Sequence, residues 1–125
     1  MSVIRVLVAN RHRLIRELIV ATISDQPDIQ VVQEIEEESE VGNAVDQTKP
    51  DFLIVTLNRN NALPDFCQLI LQKRPQMKII AIAPDRNITV FYWTSLQVKS
   101  HAIEASETGV LNALRGIIEP TARIQ

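Results

Sequence analysis

Thr56 ends the apolar run "DFLIVT" (51–56), and the polar stretch "LNRNN" follows it. A hydroxyl at the end of a buried strand is a possible nucleophile. A threonine attacks only when a neighbouring base takes its proton, and no such base is evident here. His12 and His101 lie almost a chain length apart, with no cysteine or acid at metal-binding spacing, so no zinc site is expected. No Ser-His-Asp or Cys-His arrangement stands out. The three glycines, Gly42, Gly109 and Gly116, are scattered, which excludes a glycine-rich phosphate cradle. The single cysteine, Cys67, has no partner for an internal disulfide and fits a helix position in the core. Asn87-Ile88-Thr89 spells a glycosylation sequon, which has meaning only in a secreted protein.

Three patches have a distinct composition. "EIEEESE" (34–40) carries five glutamates in seven residues. It reads as a solvated loop, with a docking patch for a basic partner as the functional alternative. "RHRLIR" (11–16) is basic, but it reads as a source of local ion pairs and not as a nucleic-acid stripe. "FYW" (91–93) groups three of the chain's five aromatic residues. Consecutive helical residues point about 100° apart, and in a strand the middle of three residues points opposite its neighbours. In either conformation, at least one large ring is left partly exposed, and exposed aromatics often mark contacts.

The elements that position these residues follow from hydrophobic period. "VIRVLVA" (3–9), "IQVVQEI" (29–35), "DFLIVTL" (51–57), "KIIAIA" (78–83) and "SHAI" (100–103) read as strands. Helices are expected over 13–23, with Leu14, Ile15, Leu18, Ile19 and Ile23 as the apolar stripe; over 39–48, capped by Ser39; over 63–74, with a stripe of Leu63, Phe66, Leu69 and Ile70; and from a cap at Ser106 to Pro120. Residues 87–97 are assigned to a further helix, although their types favour strand. Strands alternating with helices imply a parallel sheet covered on both faces.

The chain has 125 residues, 46% hydrophobic and 22% charged, with a net charge of −2. That is the composition of a single globular domain, 1–125. It offers no general attraction to nucleic acid or to an anionic membrane. No run of about 18 apolar residues is present to span a bilayer. The opening "MSVIRVLVAN" enters a strand at once and does not read as a signal peptide, so a cytoplasmic location is expected.

"IRVLVANRHRLIRELI", "QPDIQVVQE", "KPDFLIVTLN", "RPQMKIIAIA" and "EASETGVLNALRGII" resemble the receiver domain of two-component response regulators. The branch they resemble most is usually joined to a helix-turn-helix DNA-binding domain. The resemblance spans about 4–118 and is weakest over 84–103, where the register is open. It implies a flavodoxin-like fold: five parallel strands in the order 2-1-3-4-5, with helices on both faces. It also implies phosphoryl transfer from a histidine kinase to an aspartate at the end of strand 3. In that chemistry two acids after strand 1 hold Mg²⁺, and a hydroxyl after strand 4 and a lysine after strand 5 bind the phosphoryl group.

On this sequence the acid pair falls on Asn10 and Arg11, the phosphoacceptor on Thr56, the hydroxyl on Ala83 and the lysine on Glu104. All five have changed. Arg11 puts a fixed cation where a metal ion would bind, Thr56 has no carboxylate, and Glu104 would repel a phosphoryl group. No cofactor or metal is expected. The charge reversals raise a further expectation, that Arg11 pairs with Glu104 above strand 3. Glu36, Glu37 and Glu38 are its alternative partners.

The resemblance therefore implies a degenerate, non-enzymatic receiver that signals by contact. Its protein partner, or a second copy, would bind at the helix 4–strand 5–helix 5 face through Phe91, Tyr92 and Trp93. The alternative is a small ligand in the vacated pocket. Direct DNA binding by these residues is not expected; the resemblance leaves room for a DNA-binding domain after Gln125, and nothing in these residues shows one.

Overall fold

The computed structural model describes residues 3–94, 98–103 and 105–116. Strands β1 (Ile4–Ala9), β2 (Ile29–Glu34), β3 (Phe52–Thr56), β4 (Lys78–Ala83), β5 (Ile88–Thr94) and β6 (Val98–Ala102) form one sheet in the order β2-β1-β3-β4-β5-β6. Helices α1 (Arg13–Ser24), α2 (Val41–Thr48), α3 (Asp65–Lys73) and α4 (Glu107–Leu114) complete the described architecture. β1 pairs in parallel with β2 and β3, and β3 with β4. β5 and β6 then join as an antiparallel hairpin.

The sheet separates two apolar layers, as the alternation of strand side chains requires. Leu7 and Ala9 of β1 and Leu53 and Val55 of β3 face one layer, which Val41, Val45, Cys67 and Leu71 of α2 and α3 close. Val6, Val8, Phe52 and Ile54 face the other, which receives Ile23 of α1 and Ala113 and Leu114 of α4. The expected mixed α/β architecture with both faces covered is therefore present.

Two sequence expectations require correction. Residues 87–97 are not a helix: 88–94 form strand β5, and 95–97 lie outside the described residues. The final strand is β6, antiparallel to β5, and it includes most of the expected 100–103 segment. The sheet accordingly has six strands and is mixed, not five-stranded and fully parallel. The physical reason lies in the connection. Ala83 pairs with Ile88 across only Pro84–Asn87, whereas a parallel crossover needs a dozen or more residues. Asn87 takes the left-handed conformation (φ 55°) that lets the chain reverse, which asparagine tolerates better than most residues. Arg86 fastens the turn by donating to Asn61 Oδ1 (2.6 Å) and to the Asn58 carbonyl (2.8 Å). Val90, Phe91, Tyr92 and Trp93 then follow their intrinsic preference for a pleated, two-sided surface.

The second correction concerns helix faces. Leu14 and Leu18 of α1 are 78% and 60% exposed, and Leu69 of α3 is 59% exposed, so these members of the expected stripes do not reach the core. Caps also differ in part. Ser39 sits in a short 3₁₀ turn (Glu38–Glu40) ahead of α2 and does not cap it. Ser106 caps α4 as expected, its hydroxyl accepting from the Gly109 N–H at 3.1 Å. Cys67 is fully buried, which pushes its thiol well above the ordinary value.

Candidate functional site

The carboxyl ends of β1, β3 and β4 lie side by side, because β1 pairs with β3 and β3 with β4. Asn10 follows β1, Thr56 ends β3 and Ala83 ends β4, so the fold brings three of the five sequence-predicted positions to one edge. Asn10 and Thr56 are buried polar residues, and Ala83 is fully buried. The Asn10 side-chain amide donates to Thr56 Oγ1 at 3.0 Å. This neutral hydrogen bond ties the two strand ends together. Arg16 of α1 reinforces it from outside by donating to the Asn10 carbonyl at 2.8 Å. One atom is left over: Asn10 Oδ1 is buried without a hydrogen-bond partner among the described residues.

Arg11, the residue after Asn10, forms an ion pair. Its guanidinium lies 3.5 Å from Glu38 Oε2, in the acidic stretch after β2, and its side chain is 47% exposed. Of Glu36, Glu37 and Glu38, the alternative partners expected for Arg11, Glu38 is the one that pairs with it. Glu104 lies outside the described residues. Arg16 makes a looser approach to Glu34 at 3.9 Å. The basic segment after β1 is thus answered by the acidic stretch after β2, because the parallel pairing of the two strands puts their carboxyl ends at the same edge.

The donor set does not fit a magnesium ion. Hard divalent cations take carboxylate and carbonyl oxygens. At this edge Asn10 offers an amide already engaged through its nitrogen, Thr56 a neutral hydroxyl, and Arg11 a cation. Among the described residues the Thr56 hydroxyl is hydrogen-bonded to the Asn10 amide and to no base. Among the described residues, no group of three or more His, Cys, Asp or Glu is placed to hold a metal.

The aromatic trio divides as alternate strand positions must. Phe91 is buried against Phe52 (ring centroids 6.0 Å apart) and Trp93 (5.4 Å), whereas Tyr92 packs on the opposite layer. Tyr92 and Trp93 are half-buried. Phe91 and Trp93 also line a cavity of about 590 Å³ with Met77, Lys78 and His101. Among the described residues a helix 4–strand 5–helix 5 face does not form, since the segment expected to supply its first helix is strand β5 over 88–94. Sequence reasoning missed a second cavity, of about 250 Å³, between α1 and the start of α4. It is lined by Ile15, Leu18, Ile19, Ile88 and Val110, among others. Its signal in the sequence is the α1 stripe itself, four of whose members line the cavity.

No known protein-family model and no curated protein matches the chain. Solved structures do. The response regulator domain of CheB from Thermotoga maritima superposes with a TM-score of 0.56 at 24% identity, covering 66% of this chain and 61% of that one. The signal receiver domain of the response regulator NarL from Mycobacterium tuberculosis gives 0.57 at 18% identity, over 66% and 68%. The isolated receiver domain of RcsB from Salmonella enterica serovar Typhimurium gives 0.57 at 19% identity, over 66% and 62%. The chain thus has the receiver-like fold over two thirds of its length. The match spans less than two thirds of the CheB and RcsB chains.

Proposed function

We propose that this chain is a receiver-fold signalling module that works by protein contact and is not phosphorylated. The observation that carries the reading is the buried Asn10–Thr56 hydrogen bond. It occupies, with two neutral side chains, the edge where phosphoryl transfer needs carboxylates, a metal ion and a nucleophile. The fold supplies the prior and this edge supplies the departure from it. Arg11, held toward Glu38, adds positive charge near the place a metal would need negative charge. Regulation by contact with a partner then takes the place of regulation by a phosphoryl switch. Tyr92 and Trp93 on the β5–β6 hairpin are candidate contact residues, with Phe91 supporting them from the core. The degenerate set Asn10, Arg11, Thr56, Ala83 and Glu104 carries no catalytic role in this reading.

The test is incubation of the intact protein with acetyl phosphate, with and without Mg²⁺, followed by intact-mass measurement. The mass is expected to stay unchanged in both arms. A gain of one phosphoryl group that depends on Mg²⁺ would overturn the reading.

A second reading, a small ligand at the same edge, is favoured by one observation: the buried Asn10 Oδ1 has no donor. Buried acceptors seldom stay unpaired, and a water or a ligand N–H or O–H is the usual remedy. A thermal-shift screen comparing wild type with Asn10→Leu separates the two. A compound that stabilises only the wild type supports the ligand.

A further inference from the structure

Because β5 runs antiparallel to β4, its later residues lie beside the first residues of β4. Phe91 and Trp93 thereby meet Met77 and Lys78 at the end of the sheet opposite the Asn10–Thr56 edge. Together with His101 of β6 they line the cavity of about 590 Å³. Small-molecule sites span roughly 300–1,000 Å³ and combine mainly apolar or aromatic walls with a few polar groups. This cavity has that size and that make-up. Size alone does not name an occupant, but the chemistry of the walls does.

Phe91 and Trp93 lie with ring centroids 5.4 Å apart and planes inclined by 39°, and Phe52 backs Phe91 from the core. Such a pair suits a planar ring, which gains by offset or tilted stacking. The polar groups carry the other half of the pattern. Lys78 is exposed, with its Nζ 5.6 Å from the Phe52 ring centroid. His101 lies directly across from Phe91 in the β5–β6 pair, so both side chains stand on one side of the sheet. Its Nε2 is buried without a hydrogen-bond partner among the described residues. Buried polar atoms seldom stay unpaired. No aspartate or glutamate is among the described residues that line the cavity, so its one formal charge is the Lys78 cation.

We propose that this cavity binds a small aromatic carboxylate, with its ring against Phe91 and Trp93 and its carboxylate toward Lys78 and His101. A carboxylate accepts from the Lys78 ammonium and from an Nε2–H, and hydrogen bonds to an ionised group are the stronger kind. A neutral aromatic compound gains the stacking alone, and a cationic one meets Lys78 with like charge. A water molecule answers His101 but makes no use of the aromatic walls. The site goes beyond the contact proposal and does not depend on the Asn10–Thr56 edge, which lies at the other end of the strands.

The experiment titrates the intact chain with biphenyl-4-acetate and with its uncharged counterpart, biphenyl-4-acetamide. Calorimetry reads the affinity, and the emission of Trp93, the only tryptophan in the chain, reads the place. The carboxylate is expected to bind about tenfold more tightly than the amide and to shift the Trp93 emission. Lys78→Gln, at an exposed position, is expected to lower the carboxylate's affinity to that of the amide, with an unchanged circular dichroism spectrum. Lys49→Gln removes an exposed lysine elsewhere and is expected to keep the tenfold preference. His101→Leu is expected to weaken the carboxylate as well. Failure of both compounds to bind at millimolar concentration overturns the proposal, as does equal affinity for the two. Binding without a change in Trp93 emission overturns it too, and so does a preference that survives Lys78→Gln or is lost equally in Lys49→Gln. None of these outcomes bears on the acetyl phosphate result, so the two proposals fail separately.

Discussion

Asn10 and Thr56 act on one another as structural partners, and their worth is measurable. Thr56→Val keeps the shape of the side chain and removes the acceptor 3.0 Å from the Asn10 amide. With Oδ1 already lacking a partner, the whole buried amide group is then unsatisfied. A loss of about 1–3 kcal/mol is expected in urea unfolding. Asn10→Leu combined with Thr56→Val is expected to cost less than the two single changes added together, because neither polar group then remains buried alone. Additive losses would show that the two side chains do not depend on each other. Thr56→Asp by itself is expected to remain unphosphorylated in acetyl phosphate. It restores a nucleophile while leaving Asn10 and Arg11 unable to hold Mg²⁺.

The element that most distinguishes this fold is the β5–β6 hairpin. Its entry depends on Asn87, whose φ of 55° strains a β-branched side chain. Asn87→Val is expected to lower stability by about 1–2 kcal/mol, and Asn87→Gly to leave it nearly unchanged. Thermal melts of the two variants distinguish them, and equal melting would mean that the turn can be made another way. The hairpin is also fastened from within. Phe91→Ala removes a ring buried between Phe52 and Trp93 and is expected to cost about 3–5 kcal/mol.

At the scale of the whole molecule, α4 is tied to the far edge of the sheet through one ion pair. Arg115 donates to Asp28 Oδ2 at 2.8 Å and to Oδ1 at 2.9 Å, joining the end of α4 to the residue before β2. This hydrogen-bonded guanidinium holds the Asp28 carboxyl below its ordinary 3.8. The folded state therefore binds this proton more weakly than the unfolded chain does. The pair's contribution is present above the ordinary carboxylate value and fades as pH falls through the folded-state value. Both groups are accessible to solvent, so the effect is small. The melting temperature of Arg115→Gln is expected to lie below that of wild type at about pH 6, with the gap closing on acidification below 3.8. A gap that stayed constant in acid would show that Arg115 stabilises by packing alone.

What the sequence determined by itself was local and periodic. The apolar runs of β1, β3 and β4 can be buried only in a covered sheet, and the Ser106 cap and the core position of Cys67 follow from residue type. So does the chemical inventory of the site: no arrangement of Asn10, Arg11, Thr56 and Ala83 yields the carboxylates that phosphoryl transfer needs. Tertiary structure decided three other matters. It made 88–94 a strand, because the four residues after β4 permit a hairpin and not a crossover. It gave Arg11 to Glu38, because parallel pairing of β1 and β2 puts the residues that follow them at one edge. It left Leu14 and Leu18 in solvent, because a helical period identifies an apolar stripe without specifying how far the helix is rolled onto the sheet. Each of these depends on contacts between residues distant in the chain, which no window of neighbouring residues contains.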